Sequence, residues 1–354
     1  MVLAHGGYDM DIKGHVIDGK QGAFIIAEIA QAHDGSLGIA HSYIDAVADA
    51  GAHAIKFQTH IANAESTKDE NFRVPMSGQD STRWDYWKRM EFSKEQWFSL
   101  AKHAEDRGLV FLSSAFSVEA VNLLGEIGMP AWKVGSGEFA NSNLISAMLL
   151  HNAPILLSTG LCSYEELDGV HFGLKKYGAE FAFFQCTSAY PVPLEKVGIN
   201  VLQELRERYQ CCTGLSDHSG TVYPSLAAMS ESVDFIEVHV TFNKNIYGPD
   251  TSSSINIEDL EFLVKANQAF VKMRVNPINK DLLANELKST RQLFTKSLCL
   301  INSLVAGESI EYDNITLKKP GTGIGADQIA NLVGKSVLND LPSDRLIKWT
   351  DVNK

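Results

Sequence analysis

Two short stretches place histidines beside acidic residues at the ends of apolar runs. "GLSDHSG" from Gly214 carries His218, and "FIEVHVT" from Phe235 carries Glu237 and His239. Two imidazoles together with oxygen ligands suit a divalent transition metal that keeps open coordination positions. A single histidine in such a run is more often a satisfied core residue, so the prediction of a metal site requires the fold to bring the pair together.

Two lysines interrupt runs that are otherwise apolar. Lys56 lies in "AIKFQT" and Lys133 lies in "AWKVGS". Burying an ammonium group without an anionic partner is costly. The sequence offers two kinds of partner, which are the carboxylates of Glu28 and Glu138 or an anionic ligand such as a phosphate. Both alternatives depend on the elements that position the lysines.

Eight short apolar runs recur along the chain, and amphipathic helical patterns follow most of them. One such pattern, "SKEQWFSLAKHAEDRG", opens at a capping residue, Ser93, and ends at Gly108. The runs begin at Phe24, Ala54, Leu109, Ala131, Pro154, Phe181, Cys212 and Asp234. Apolar strands alternating with helices predict an α/β fold with a parallel sheet covered by helices. Eight such units in about 250 residues predict a TIM (β/α)8 barrel, with a doubly wound sheet as the alternative.

Active sites of such barrels lie at the carboxyl ends of the strands. Here every predicted strand ends in polar residues, although a lone serine there usually caps the next helix. The residues are Glu28, Lys56, Gln58, Ser113, Ser114, Lys133, Ser136, Glu138, Ser158, Thr159, Gln185, Thr187, Ser188, Ser216, Asp217, His218, Glu237 and His239. The complete set predicts one polar pocket at this end of the barrel.

The long polar segment 63–92 follows the second predicted strand and is interpreted as an elaborated active-site loop. Its Trp84, Tyr86 and Trp87 either face a substrate or pin the loop to the barrel. After about residue 290 short apolar stretches and frequent turns replace the strand–helix pattern. We therefore predict a catalytic barrel over 1–275, a linker over 276–290 and a small domain over 291–354.

Composition excludes several classes of function. The formal charge of −12 argues against a nucleic-acid partner, although a locally basic pocket still allows an anionic small substrate. Uninterrupted apolar stretches stay below the length of about 18 residues that a membrane span needs. Five cysteines without a CxxC pair, and an amino terminus without a secretion signal, predict reduced thiols and a cytoplasmic protein. Cys186 is expected to be a small core residue.

A set of motifs resembles the sialic acid synthase family. "AEIAQAHDGS", "IKFQTH", "WKVGSGE", "LSTG", "CTSAYP", "GLSDH", "VHVT" and "GPD" occur in that family's order, and the tail "LVAGESIEYDNITLKKPGTGI" resembles its antifreeze-like (SAF) domain. The resemblance implies a transferase that condenses phosphoenolpyruvate with an N-acyl hexosamine, such as N-acetylmannosamine, to a nine-carbon 2-keto acid and phosphate. It also implies a divalent metal, with Mn²⁺ before Mg²⁺ or Co²⁺, and a homodimer in which the SAF domain of one chain closes the barrel of the other.

The same resemblance implies roles for individual residues. The metal ligands are expected to be His218 and His239. The catalytic candidates are Glu28, Gln58 and Glu138. Phosphoenolpyruvate binding is assigned to Lys56, Ser114, Lys133, Ser136, Ser158, Ser188 and Ser216. Sugar binding is assigned to Tyr190, Asp250 and Lys319.

Three departures from the family pattern concern the sugar side. Gln31-Ala32-His33 stands where "INH" is common, and Ser188 replaces an asparagine. Lys319 replaces an arginine that holds the N-acyl group of the sugar in the partner's site, and lysine lacks the planar fork of a guanidinium. The resemblance therefore supports the reaction more firmly than the sugar. A neuraminic, legionaminic, pseudaminic or related product is equally open.

Two other functions remain open at this stage. A Schiff-base aldolase would use Lys56 or Lys133 as the nucleophile, but such an enzyme needs no metal. A non-catalytic protein would use the SAF domain to bind carbohydrate or ice and carry an inactive barrel. The full set of polar strand ends argues against an inactive barrel.

Overall fold

A computed structural model of the protein describes residues 8–72 and 79–354. The chain forms two compact units, Met1–Val275 and Asn276–Lys354. Residues 73–78 of the predicted active-site loop, and the first seven residues of the amino terminus, lie outside the described part.

The strands of the first unit form a closed, all-parallel barrel preceded by a small hairpin. The hairpin strands are β1 (Met10–Ile12) and β2 (His15–Ile17). The barrel strands are β3 (Phe24–Ala30), β4 (Ala54–Thr59), β5 (Val110–Ala115), β6 (Trp132–Val134), β7 (Ile155–Ser158), β8 (Phe181–Cys186), β9 (Cys212–Asp217) and β10 (Phe235–His239). Strand β10 pairs with both β9 and β3, which closes the sheet. The TIM barrel prediction is confirmed, and the doubly wound alternative is wrong.

Helices connect the strands and cover the barrel. They are α1 (Leu37–Ala50), α2 (Ala62–Glu65), α3 (Arg83–Met90), α4 (Lys94–Asp106), α5 (Val118–Ile127), α6 (Ser142–Leu149), α7 (Tyr164–Tyr177), α8 (Ile199–Tyr209), α9 (Tyr223–Ser230) and α10 (Ile257–Arg274). Helix α4 begins as its sequence predicts, because the Ser93 hydroxyl accepts a hydrogen bond from the backbone N–H of Gln96. Helices α2 and α3 both lie within the long polar segment after β4.

The β1–β2 hairpin lies at the amino-terminal end of the barrel. Its Met10, Ile12 and Ile17 are buried and belong to the same apolar cluster as Phe24 and Phe235, which begin two barrel strands. Burial of this apolar area stabilises the closed end of the barrel. The carboxyl ends of the strands are left to the polar residues.

The register of the parallel strands sets those polar residues side by side. The pairs are Glu28 with Lys56, Gln58 with Ser114, Ser114 with Lys133, Cys186 with Ser216, and Ser216 with Glu237. Because side chains alternate between the two faces of a strand, residues two apart, such as Lys56 and Gln58, share one face. The polar positions therefore converge on one side of the closed sheet.

The second unit is a small domain with its own core. It contains α11 (Lys280–Glu286), α12 (Lys288–Phe294), the antiparallel pair β11 (Ser297–Leu300) and β12 (Ile315–Lys318), and α13 (Ile329–Leu332). Leu298, Leu332 and Val337 are among its buried apolar residues. Within residues 8–72 and 79–354, no helix combines the length and the apolar character that a membrane span requires.

Candidate active site

A cavity of about 510 Å³ is lined by polar residues from the carboxyl ends of the barrel strands and the loops that follow them. The cavity does not include five of the strand-end residues that were expected in the pocket, which are Ser113, Thr159, Gln185, Thr187 and Asp217. Every residue of the first unit to which the family resemblance assigned a role does line it. These are Glu28, Lys56, Gln58, Ser114, Lys133, Ser136, Glu138, Ser158, Ser188, Tyr190, Ser216, His218, His239 and Asp250. Lys319 belongs to the second unit, where its ammonium lies 5.1 Å from the ring centre of Phe294.

Two lysines and two glutamates form the floor of the cavity. The Lys56 ammonium lies 2.6 Å from Glu28 Oε2 and 3.8 Å from Glu237 Oε2, and the Lys133 ammonium lies 3.5 Å from Glu237 Oε1. All four side chains are at most 7% exposed. The expectation that Glu138 could be the partner of Lys133 is wrong, because β10 inserts Glu237 between the two lysines.

These charges shift one another's ionisation. Burial raises the pKa of Glu28, and Lys56 offsets only part of that rise. Burial acts in the same direction on Glu237, but Lys133 and Lys56 outweigh it and hold its pKa well below the usual range. Burial, aided by the charge of Lys56, lowers the pKa of Lys133. Glu237 is therefore the firmly ionised carboxylate of the floor, whereas Glu28 is the one closer to holding a proton.

Serine hydroxyls extend the floor around both lysines. Lys56 Nζ donates to Ser114 Oγ over 3.0 Å, and Lys133 Nζ donates to Ser158 Oγ over 2.6 Å. Ser158 Oγ in turn lies 3.1 Å from Ser216 Oγ. Ammonium and hydroxyl donors converging on one spot are a suitable environment for phosphate and carboxylate oxygens.

The two histidines are neighbours above this floor. Their ring centres are 5.2 Å apart. His218 Nδ1 lies 3.1 Å from the Thr187 carbonyl oxygen, which can only accept, so Nδ1 carries the hydrogen and Nε2 keeps its lone pair. Burial, together with the adjacent His239, lowers the pKa of His218 to about 3. His218 is thus a neutral imidazole at physiological pH, which is the form that binds metals.

The imidazoles of His218 and His239 fit a catalytic divalent metal whose remaining ligands would be water and substrate oxygens. In the described ranges, no group of three or more His, Cys, Asp or Glu side chains is arranged as a metal site. Two imidazoles would leave several coordination positions open, and catalytic metal sites need open positions.

Gly160 lies where three side chains meet. A Cβ atom at this position would lie 2.7 Å from Ser188 Oγ, 2.9 Å from Ser136 Oγ and 3.0 Å from Cys186 Sγ, so a larger residue would displace them. The Gly160 N–H donates to Ser136 Oγ over 3.1 Å. Cys186 is buried as expected, but it also lines the cavity, which its apolar strand did not indicate.

The loop aromatics fill both predicted roles. Tyr86 and Trp87 are buried in a satellite cluster with Ala62 and Met90, and Trp84 packs against that cluster. All three therefore pin the segment, and of the three Trp87 also lines the cavity.

Several lining residues were missed from the sequence. They are Gln31, His60, Glu65, Glu70, Arg83, Phe116, Leu161 and Cys186. Most of them lie on loops or helices, where spacing does not reveal the direction of a side chain. Glu237 was expected at this end of the barrel, but its place beside both lysines was not.

Comparison with known proteins places the chain in a family. The profile of the NeuB family matches residues 43–278, and that of the SAF domain matches residues 295–353. The N,N'-diacetyllegionaminic acid synthase of Campylobacter jejuni subsp. jejuni is 30% identical over 92% of this chain and 98% of its own length. The N-acetylneuraminate-9-phosphate synthase of Homo sapiens is 31% identical, over 94% of each chain.

A solved structure gives the same result. The N-acetylneuraminic acid (sialic acid) synthetase from Leptospira borgpetersenii serovar Hardjo-bovis, in complex with citrate, superimposes with a TM-score of 0.70 at 28% identity. The match covers 80% of this chain and 96% of the synthetase. The chain therefore belongs to the NeuB family, and a SAF domain follows its barrel.

Proposed function

We propose that this protein condenses phosphoenolpyruvate with the open-chain form of an N-acyl hexosamine, giving a nine-carbon 2-keto acid and inorganic phosphate. The observation that carries the proposal is one cavity in which two lysines and five serines lie beside two adjacent histidines. The names of the relatives, which are legionaminic, pseudaminic and N-acetylneuraminate-9-phosphate synthases, support the same reaction type.

Phosphoenolpyruvate would bind at the floor. Lys56 and Lys133 would supply cationic donors to its phosphate and carboxylate, and Ser114, Ser158 and Ser216 would supply hydroxyls. The carboxylates already on the floor do not prevent this, because each ammonium has three N–H donors. Their negative charges also favour the ammonium form of both lysines.

A divalent metal, for which we propose Mn²⁺, would be held by His218 and His239. When bound, it would supply a Lewis acid that polarises the aldehyde oxygen of the sugar. Tyr190, whose ring stacks on His218 at 4.2 Å between centres, would orient the sugar there. Asp250, Glu138, Ser136 and Ser188 line the same cavity, where we assign the first two to the sugar side and the serines to phosphoenolpyruvate.

The proposed reaction forms one C–C bond and breaks the C–O bond between C2 and the phosphate. C3 of phosphoenolpyruvate forms a bond to the aldehyde carbon, which leaves a cationic centre at C2. The same bond formation turns the aldehyde oxygen into an alkoxide. The oxygen of a water molecule adds to C2, the C2–O bond to phosphate breaks, and the carbonyl of the 2-keto acid remains, while the two protons of the water pass in the end to the alkoxide and to the departing phosphate. Glu28 would accept a proton from the water. Gln58 would hold the Glu28 carboxylate in place, because Gln58 Nε2 donates to Glu28 Oε1 over 2.8 Å.

The direct test mixes the purified protein with phosphoenolpyruvate, Mn²⁺ and a panel of N-acyl hexosamines. We expect phosphate release to depend on one class of sugar and to match the formation of a nine-carbon keto acid by mass spectrometry. The proposal fails if no sugar of the panel stimulates phosphate release.

We also propose that the working unit is a homodimer, in which the SAF domain of one chain serves the barrel of the other with Lys319 near the sugar. A lid limits the access of bulk water to a reactive cationic centre. Replacing Lys319 with alanine should then raise the KM for the sugar about tenfold and leave the KM for phosphoenolpyruvate nearly unchanged.

Mixing two impaired chains, assayed at a sugar concentration well below the KM of the Lys319→Ala variant, tests this exchange. A chain with Lys319→Ala and a chain with His218→Ala should regain activity together, because random pairing builds some sites from one intact barrel and one intact lid. The matched control mixes His218→Ala with Lys133→Met, whose defects both lie in the barrel and cannot complement. Absence of recovery in the first mixture, despite demonstrated subunit exchange, would refute the dimer proposal.

A further inference from the structure

The segment that follows β4 adds an outer wall to the cavity. Arg83 Nε lies 3.1 Å from Glu70 Oε1, and Trp87 Nε1 donates to Glu70 Oε2 over 3.0 Å. The Arg83 guanidinium lies 5.0 Å from the ring centre of Trp87. We call these three residues the outer wall. The Arg83 and Glu70 side chains are 25% and 35% exposed, so the wall lies toward solvent from the nearly buried floor.

A stack of rings holds this wall rigidly. His60 lies between Trp87, at 3.9 Å between ring centres, and Phe116, at 4.5 Å. His60 also makes a hydrogen bond to Glu65, and its Nε2 lies 3.2 Å from Gln58 Oε1. The stack therefore connects the outer wall to Gln58, which donates to Glu28 of the floor, and it positions the indole and the guanidinium that rests on it.

The outer wall keeps hydrogen-bonding capacity for a ligand. A guanidinium has five N–H donors. In Arg83, Nε faces Glu70 and Nη1 donates to the Asn71 carbonyl oxygen over 3.3 Å. The other donors have no partner among the described residues, so they are available to the hydroxyl and amide groups of a sugar that fills the cavity.

The outer half of the cavity, which contains the outer wall, differs in charge from the floor. Among the described lining residues outside the floor, Glu65, Glu70, Glu138 and Asp250 carry carboxylates, whereas Arg83, already paired with Glu70, carries a positive charge. On the floor, by contrast, two lysines match two glutamates. A second phosphate group in the outer half would meet net negative charge, and like charges placed together at a binding site are strongly unfavourable.

We infer that Glu70, Arg83 and Trp87 are specificity-determining residues that contact the end of the sugar farthest from its aldehyde, and that they select an uncharged acyl-amino sugar over a sugar phosphate. This inference rests on the proposed condensation. It distinguishes the chain from its human relative, whose name specifies a 9-phosphate product.

The experiment compares N-acetylmannosamine with N-acetylmannosamine 6-phosphate. Each is measured both as an acceptor and as a competitor of the fastest acceptor of the panel, so that an affinity is obtained even for a sugar that is not condensed. We expect the neutral sugar to be favoured by about a hundredfold. Glu70→Gln, which leaves Arg83 as an uncompensated cation, should reduce that preference about tenfold.

The second part of the experiment uses the Arg83→Gln variant. It should raise the KM for the neutral sugar about tenfold while the KM for phosphoenolpyruvate changes less than about twofold. The matched control is Arg208→Gln, because Arg208 also lies 5.0 Å over an aromatic ring, that of Tyr164, and pairs with Asp168 at 2.6 Å, but on the outer helices. That variant should leave both constants unchanged.

The outcomes separate the two proposals. If no sugar is condensed, the proposed function itself fails. If a sugar is condensed but the 6-phosphate is preferred or equal, or if Arg83→Gln behaves like Arg208→Gln, the inference is overturned while the proposed function stands. Thermal melting of each variant identifies any loss that comes from unfolding.

Discussion

A variant in which both His218 and His239 are replaced by alanine should lose condensation activity by about a thousandfold or more, because Lewis-acid activation of a carbonyl contributes several kcal/mol to a barrier. The two rings are adjacent in the cavity, and the hydrogen bond from His218 Nδ1 to Thr187 leaves Nε2 as the ligating atom. Chelation of the wild-type protein should abolish turnover, and added Mn²⁺ should restore it.

Metal binding must also be measured directly, since loss of activity alone has many causes. Titration of Mn²⁺ followed by electron paramagnetic resonance should show one site in the wild type and none in the double variant. The fold should survive, because both histidines line a cavity rather than fill the apolar core.

The chain supplies a closely matched control. His41 and His103 lie on α1 and α4 with ring centres 5.0 Å apart, nearly the spacing of the cavity pair, but they are not among the residues that line the cavity. Their double alanine variant should keep both Mn²⁺ binding and turnover. Unchanged Mn²⁺ stoichiometry in the variant that lacks His218 and His239 would show that Mn²⁺ binds elsewhere.

The barrel and most of its site were accessible from sequence for a physical reason. In a parallel barrel every strand ends at the same face, so a polar residue at a strand end is placed by topology alone. Glu28, Ser158 and His239 come from strands far apart in the chain, yet all line one cavity. Side-chain alternation then decides which of neighbouring polar residues turn inward.

The parts that were missed depend on tertiary packing rather than on periodicity. Glu237 was recognised as a strand-end residue, but its position between Lys56 and Lys133 follows from the closure of β10 onto β3 and β9. The placement of Arg83 and Trp87 depends on how α3 packs beside the barrel. No local pattern encodes that packing.

The N-terminal hairpin also could not be predicted from local sequence patterns. β1 and β2 have three residues each, too few for alternation to be recognised in the sequence. Their burial becomes visible only when the strand starts that they cover, such as Phe24 and Phe235, are assembled into a barrel.

Replacing Lys133 with methionine should lower kcat/KM for phosphoenolpyruvate by at least about a hundredfold, because a hydrogen bond to a charged group in a desolvated site contributes about 1.5–3 kcal/mol and more when the partner charge is left unpaired. The variant should also be less stable by about 3 kcal/mol, since Glu237 loses Lys133, the nearer of its two cations, at 3.5 Å against 3.8 Å for Lys56. Denaturant melting would measure the second effect separately.

The effects on stability and on phosphoenolpyruvate binding can be separated, because Glu237, the carboxylate paired with Lys133, can also be replaced. Adding Glu237→Gln to Lys133→Met removes one positive and one negative charge together, so the remaining pair of Lys56 and Glu28, 2.6 Å apart, is still balanced. Stability should then recover, since the uncompensated buried carboxylate is gone. Affinity for phosphoenolpyruvate should not recover, because the ammonium that binds it is still missing.

This double variant decides between the two explanations for the buried lysines. If Lys133 only completes an internal ion pair, restoring the charge balance restores both stability and the KM for phosphoenolpyruvate. If it binds substrate, stability returns and the KM stays high. Borohydride added to the wild-type protein with substrate distinguishes the remaining alternative, since a Schiff base on Lys133, whose pKa burial lowers, would be trapped as a covalent adduct. We expect no adduct, because in the proposed reaction Lys133 acts as a charged donor and never as a nucleophile.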